Sequence, residues 1–199
     1  MGIVVQFIGA AALLVTATAV IPQTIRMIRV DSTAGVSPVW AMLGAVSTGV
    51  WTYYTAARGL WWATVADGLA CLSYLSSVHV LARHGITPRL AAGSAWLGVF
   101  VIGYLFAGLD GVGAVLAFAF VVQVAPSIWT TYRQSNLLGS SILTWSLTLA
   151  EGVLWFSYGW IEDDAAVTIF GLLALLAGTL MVARLRKFNT MTTPAQATT

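Results

Sequence analysis

Apolar residues run through this chain in long blocks separated by short polar connections. The blocks cover about 4–24, 36–57, 61–82, 90–109, 111–132, 141–160 and 165–184. A helix needs about 20 mostly apolar residues to cross the hydrocarbon core of a bilayer, so the pattern predicts seven transmembrane helices. The Thr-rich segment 188–199 is polar and reads as a disordered tail. Residues 1–6 carry no Lys or Arg, and the first block continues into Pro22-Gln23, so it reads as a span and not as a secretory signal.

Composition narrows the class. The 199 residues are 59% hydrophobic and 8% charged, against roughly 25% charged in a soluble domain. So few charges cannot coat a water-soluble fold. A soluble enzyme, a disordered chain and a nucleic-acid binder are all excluded, and no basic patch stands behind the net charge of +2. The single cysteine, Cys71, has no intrachain disulfide partner. With the N-terminus outside, Arg26, Arg29, Arg83, Arg89, Arg133, Arg184, Arg186 and Lys187 all fall on the cytoplasmic side, and Arg58 alone falls outside. That bias sets the orientation, with the C-terminus cytoplasmic. Asp110, Glu162, Asp163 and Asp164 fall in external loops.

The chain also matches itself at an offset of 104: Pro22 meets Pro126, Arg29 meets Arg133, Gly35 meets Gly139, Ser37 meets Ser141, Trp51 meets Trp155 and Tyr54 meets Tyr158. Each copy holds three spans, and the span between them restores the chain direction. The expected organisation is a three-helix repeat at 1–85, a linker helix at 86–109, a second three-helix repeat at 110–187, and the tail at 188–199. The fold class is therefore an all-α membrane protein of two parallel repeats in a 3+1+3 arrangement, related by a pseudo-two-fold axis along the membrane normal.

Candidate chemistry lies on two equivalent helix faces. Trp40, Gly44, Ser47, Trp51 and Tyr54 recur at steps of four and three, as do Thr144, Thr148, Glu151, Trp155 and Tyr158. Helix packing and headgroup anchoring account for Trp40, Tyr54 and Tyr158 as well as a pocket does. Asp67 and Glu151 fall inside spans, where an ionisable side chain is costly and functional by default; a structural lock between helices is the alternative. No catalytic pair, metal cluster or nucleotide loop is visible, so no enzyme activity and no cofactor are expected.

With Pro22-Gln23, Ser32, Ser37 and the Trp51-x-x-Tyr54 step, the chain resembles the PQ-loop superfamily, and within it the SWEET and SemiSWEET sugar transporters. Trp155-Phe156-Ser157-Tyr158-Gly159 is similar to that family's W-x-x-Y-G, while Ser127 follows Pro126 where Gln is usual. The resemblance implies that Trp51 and Trp155 face a sugar, stacking on its C–H face while polar groups meet its hydroxyls. Ser47 and Glu151, four residues before Trp51 and Trp155, are the expected polar partners from the same layer, and Gln123, beside Val122, is a further polar wall. Sixteen residues after each Trp the family usually has Asn; here Asp67 and Gly171 stand there. Four residues before Pro22 and Pro126 come Thr18 and Val122, at positions that help set substrate size in the family.

Arg58 shares a helix face with Trp51 and Tyr54, and the pseudo-two-fold would bring it to Glu162 and Asp164 across the outer mouth. Tyr54, Tyr158, Arg58, Glu162 and Asp164 are therefore an expected outer gate, similar to the set that closes SemiSWEETs, with Arg58 paired to Asp164 or Glu162 in an inward-open state. Simple topology, with acids outside and one stray Arg, is the alternative. Pro22, Pro38 and Pro126 are expected hinges, because proline removes a backbone donor; for Pro38 an ordinary first-turn proline is the alternative. The leading function is a transporter of a small polar solute, with a mono- or disaccharide first. A carrier of an amino acid or small metabolite, coupled to protons through Asp67 or Glu151, is the alternative. A non-transporting receptor or scaffold is a third reading. The expected partners are the solute, lipid, protons and, through lipid-facing surfaces, a second copy; the expected place is the plasma membrane.

Overall fold

The computed structural model describes residues 2–31, 33, 36–133 and 142–196, with the backbone alone at 23, 26, 30, 126, 127, 130 and 189–196. Ser32 and the repeat matches at Gly35, Gly139 and Ser141 lie outside these residues. So do the side chains of Gln23, Arg26 and Pro126. The described residues form helices and no strands: α1 Ile3–Ala19, α2 Ile21–Val30, α3 Pro38–Ala57, α4 Trp61–Arg83, α5 Leu90–Arg133, α6 Ile142–Ile161 and α7 Ala165–Gln196.

The first apolar block is thus two helices, α1 and α2, meeting at Val20. Pro22 has no N–H to offer the carbonyl of Thr18, and the Thr18 hydroxyl turns back to donate to Leu14 O and Val15 O instead. The fourth and fifth blocks form two successive helices, together called α5, separated where Ala107 and Gly108 leave helical angles. Gly108 adopts φ 59° with ψ −139°, a region open to glycine alone. At this break the chain turns back on itself: a side chain on Gly103 would run into the carbonyl of Gly111. The tail expected at 188–199 continues the backbone of α7 through Gln196.

Two of the expected hinges look different in the structure. Pro38 is the first residue of α3, after a Ser37 cap whose hydroxyl accepts from Trp40 N at 3.3 Å. A first-turn N–H has no helical partner to lose, so Pro38 starts the helix and does not bend it. Pro126 lies within α5, whose departures from helical angles fall at Ala107 and Gly108.

The offset of 104 is written into the backbone. Both ends of α6 lie 104 residues after those of α3, and α7 starts 104 after α4. The connecting turns match bond for bond. Arg58 N donates to Tyr54 O and Glu162 N to Tyr158 O, each at 3.0 Å; Leu60 N donates to Thr55 O and Asp164 N to Gly159 O, each at 2.9 Å. The central residue of each turn is left-handed, Gly59 at φ 74° and Asp163 at φ 54°, and aspartate is among the few residues that tolerate this. Packing follows the same rule. Helix α1 packs on α4 and α6, α3 on α4 and α5, and α7 on α5 and α6. Exchanging each helix for its counterpart leaves that pattern unchanged.

Small residues let the backbones close. A Cβ on Gly152 or Gly178 of α6 and α7 would strike backbone of the other helix, as expected where lipid supplies no hydrophobic drive and packing must hold helices together. The outward faces are apolar, with Phe106 87% and Trp160 72% exposed. Helices α4, α5 and α7 carry stretches long and apolar enough to cross a membrane. This is the surface of a multi-pass integral membrane protein.

Candidate functional site

The site lies where α3, α4, α6 and α7 converge, near the end that carries the two matching turns (the turn end). Trp51 and Trp155 are both buried. Each packs edge-to-face on the tyrosine three residues later, Trp51 on Tyr54 at 5.7 Å and Trp155 on Tyr158 at 5.4 Å. Both indoles line one cavity together with Thr55, Ala63, Asp67, Val167 and Phe170. Its volume is about 10 Å³, room for about one water and far short of the roughly 300–1,000 Å³ of a pocket holding a small ligand. The structure is therefore closed around this point.

The two halves of the site differ in chemistry. Beside Trp155, the indole Nε1 donates to Thr16 Oγ1 at 2.8 Å and the Thr16 hydroxyl donates to Glu151 Oε1 at 2.7 Å. Both Thr16 and Glu151 are buried, so this chain of bonds ties α1 to α6. The position equivalent to Thr16 in the second copy is Phe120. There the polar chain is replaced by an aromatic one: Phe120 packs on Phe170 at 5.3 Å and Phe170 on Trp51 at 5.5 Å.

The remaining candidates separate. Asp67 lines the cavity and makes no hydrogen bond among the described residues. Ser47 is buried but accepts from Trp96 Nε1 at 2.8 Å, joining α3 to the first half of α5, away from the cavity. Gln123 is buried and donates to Tyr74 Oη at 2.7 Å, a bridge between the two repeats. Thr18 and Val122 are exposed and lie outside the cavity lining. Thr18 instead borders a groove with Ile21, Pro22, Ile25 and Arg29 around the α1–α2 junction. Gly171 is no wall of the cavity either. A Cβ there would sit 2.1 Å from Phe156 N, so its role is close approach of α7 to α6.

At the turn end a latch crosses between the repeats. Tyr54 Oη donates to Asp164 Oδ2 at 3.0 Å, and Asp164 Oδ1 caps α7 by accepting from Val167 N at 3.0 Å. Arg58 pairs with Asp110, just past the break in α5, and not with Glu162 or Asp164 as expected. The reason is geometric: Tyr54 already occupies the free oxygen of Asp164, and the turn back at Gly108 brings Asp110 to Arg58. The guanidinium also lies over the Tyr54 ring, 5.4 Å from its centre. The latch is one-sided. Tyr158 is fully buried with its hydroxyl unpartnered, because Leu60 stands where the first copy would need the counterpart of Asp164.

At the opposite end, His84 joins α2 to α4. Its Nδ1 lies 2.9 Å from Val80 O and its Nε2 lies 3.0 Å from Asp31 Oδ1. Both neighbours accept, so the geometry suits the doubly protonated ring. The Val80 carbonyl, and then the Asp31 carboxylate, raise the pKa of His84 above its ordinary 6.5.

Sequence reasoning missed Thr16, Phe170 and the Arg58–Asp110 pairing. Thr16 shares an Ala- and Leu-rich run with Thr18, and a helical Thr more often bonds its own backbone, as Thr18 does. Phe170 had no matching aromatic at Ala66 to flag it.

The sequence matches no family model and no curated protein. The structure does have a solved neighbour, described as the 3.7 Å resolution structure of a eukaryotic SWEET transporter. The two superpose with a TM-score of 0.68 over 94% of this chain and 97% of that one, at 13% identity. The fold is SWEET-like. At that identity the likeness speaks for the path of the backbone and not for the solute.

Proposed function

We propose that this protein is a membrane carrier that moves a small polar solute by alternating access of its two repeats around the cavity between Trp51 and Trp155. One observation carries the reading: two indoles at equivalent places in the repeats meet across a buried cavity that also holds Asp67. Ligand sites in repeat-built transporters lie at the repeat interface near mid-membrane. The turn end faces outward and the Arg-rich end faces the cytoplasm of a plasma membrane, following the distribution of basic residues. In this state the Tyr54–Asp164 and Arg58–Asp110 contacts close the outer mouth. The α1–α2 junction at Pro22 supplies a hinge.

The resemblance to SWEET carriers makes a mono- or disaccharide the first solute class, with an indole stacked on each face of the ring. The pair Asp67 and Glu151 favours a second class, an amino acid or other small metabolite whose transport is coupled to protons. Uptake of labelled sugars and amino acids into proteoliposomes, with and without an imposed pH gradient, tests both. Sugar uptake that equilibrates and ignores the gradient supports the first. Gradient-driven accumulation that is lost in Asp67→Asn supports the second. Absence of saturable uptake for every solute would contradict the carrier reading itself.

A further inference from the structure

We infer that the solute carries a positive charge: the cavity is built for a small organic cation, a protonated or quaternary amine held by Asp67 between the faces of Trp51 and Trp155. This rests on the carrier reading and departs from its sugar form. Few polar groups of the lining are still free to bind a solute. Thr55 is spent, because its hydroxyl donates to Trp51 O at 2.8 Å and accepts from Thr64 Oγ1 at 3.2 Å. The Trp155 N–H is spent on Thr16, and Glu151 receives the Thr16 hydroxyl. The rest of the lining is Ala63, Val167 and Phe170. What remains is the Asp67 carboxylate, the indole faces and the Trp51 N–H. A sugar would bring several hydroxyls to a wall that offers them few partners, and each unpaired buried hydroxyl is costly.

A cation suits the same wall. Carboxylates are acceptors and supply the opposite charge, while indole faces attract cations through their quadrupole, most strongly when water is excluded. No Lys, Arg or His lines the cavity among the described residues, so nothing in the lining opposes a cation. The asymmetry of the lining gives the cation an orientation: its charged end toward Asp67, its apolar groups toward Ala63, Val167 and Phe170.

The test compares choline with its uncharged carbon isostere, in which carbon replaces the quaternary nitrogen, using ethanolamine, lysine and glucose as further probes. Binding to the purified full-length protein is read by quenching of tryptophan fluorescence and by competition, and transport by counterflow in proteoliposomes. The expected result is that at least one amine binds about 10-fold or more tightly than the neutral isostere and than glucose, since losing a buried charge partner is severe. Asp67→Asn is expected to weaken amine binding about 100-fold, with Asp67→Glu retaining part of it. Equal binding of choline and its isostere, tighter binding of glucose, or no binding of any amine overturns the inference, and the wild-type comparison decides even if Asp67→Asn does not fold. Saturable counterflow of glucose alone sinks the cation and keeps the carrier. Amine binding without counterflow of any probe keeps the cation and sinks the carrier.

Discussion

Removing one hydroxyl should open the outer mouth. In Tyr54→Phe the ring keeps its packing on Trp51 at 5.7 Å, and Asp164 keeps its cap on Val167 N. The Tyr54–Asp164 bond, 3.0 Å long and reaching from α3 to the start of α7, is lost, together with the hydroxyl's interaction with Arg58. A hydrogen bond to a charged acceptor contributes about 1.5–3 kcal/mol. If it exists only in the closed state, its loss lowers the closed-to-open ratio about 10- to 150-fold. The exposed Arg58–Asp110 pair adds about 0–1 kcal/mol at most, so it cannot hold the mouth shut alone. The assay is a distance distribution between spin labels on cysteines placed at Ala57 and Glu162, in a Cys71→Ser background. Tyr54→Phe is expected to move population to a longer distance. Superimposable distributions in wild type and variant, with unchanged transport, would refute the latch.

Other expectations follow from the same contacts. Leu60→Asp places a carboxylate at the counterpart of Asp164 and gives the buried Tyr158 hydroxyl a partner; the closed state should gain, with slower transport and a shorter label distance, and no shift would count against the structural equivalence of the two turns. Gly171→Ala puts a methyl about where Phe156 N lies, so unfolding in detergent should move down by about 1–3 kcal/mol or more, whereas a pocket role for Gly171 predicts altered solute affinity at normal stability. For His84, the folded pKa lies above 6.5 because of Val80 O and Asp31. Its clasp between α2 and α4 is therefore fully present below about pH 6.5 and is lost as pH rises through the folded value. Asp31→Asn should bring the His84 titration, followed by NMR, part of the way back down, and an unchanged titration would remove Asp31 from the clasp.

Much of the backbone was legible from the apolar blocks because membrane helices leave little choice: an apolar run must satisfy its own hydrogen bonds. The repeat was legible from Pro22, Trp51 and Tyr54 and their counterparts, and the matching turns at Gly59 and Asp163 carry it into atomic detail. The breaks were harder. Pro22 marked the one inside the first block, and the break at Ala107 and Gly108 falls beside the expected end of the fourth block at 109, although nothing singled out Gly108 among 19 glycines. The site was half legible. Trp51, Trp155 and Asp67 reach the cavity, while Thr18, Val122 and Gly171 were carried over by family position and lie elsewhere. Thr18 and Val122 are adjacent to the buried Ala19 and Gln123, and a shift of one residue turns a helical side chain by about 100°. Thr16 escaped because its partners, Glu151 and Trp155, are distant in sequence and are brought to it only by the crossed packing of α1 on α6.

The central claim is that the cavity between the two indoles is where solute crosses. The most direct measurement is saturable counterflow in proteoliposomes, over a panel of sugars and small amines, for wild type, Trp51→Ala and Trp155→Ala at matched protein content. The account predicts that at least one solute is carried by wild type and that each substitution abolishes its flux while the protein stays folded. Saturable flux that survives both substitutions would contradict it.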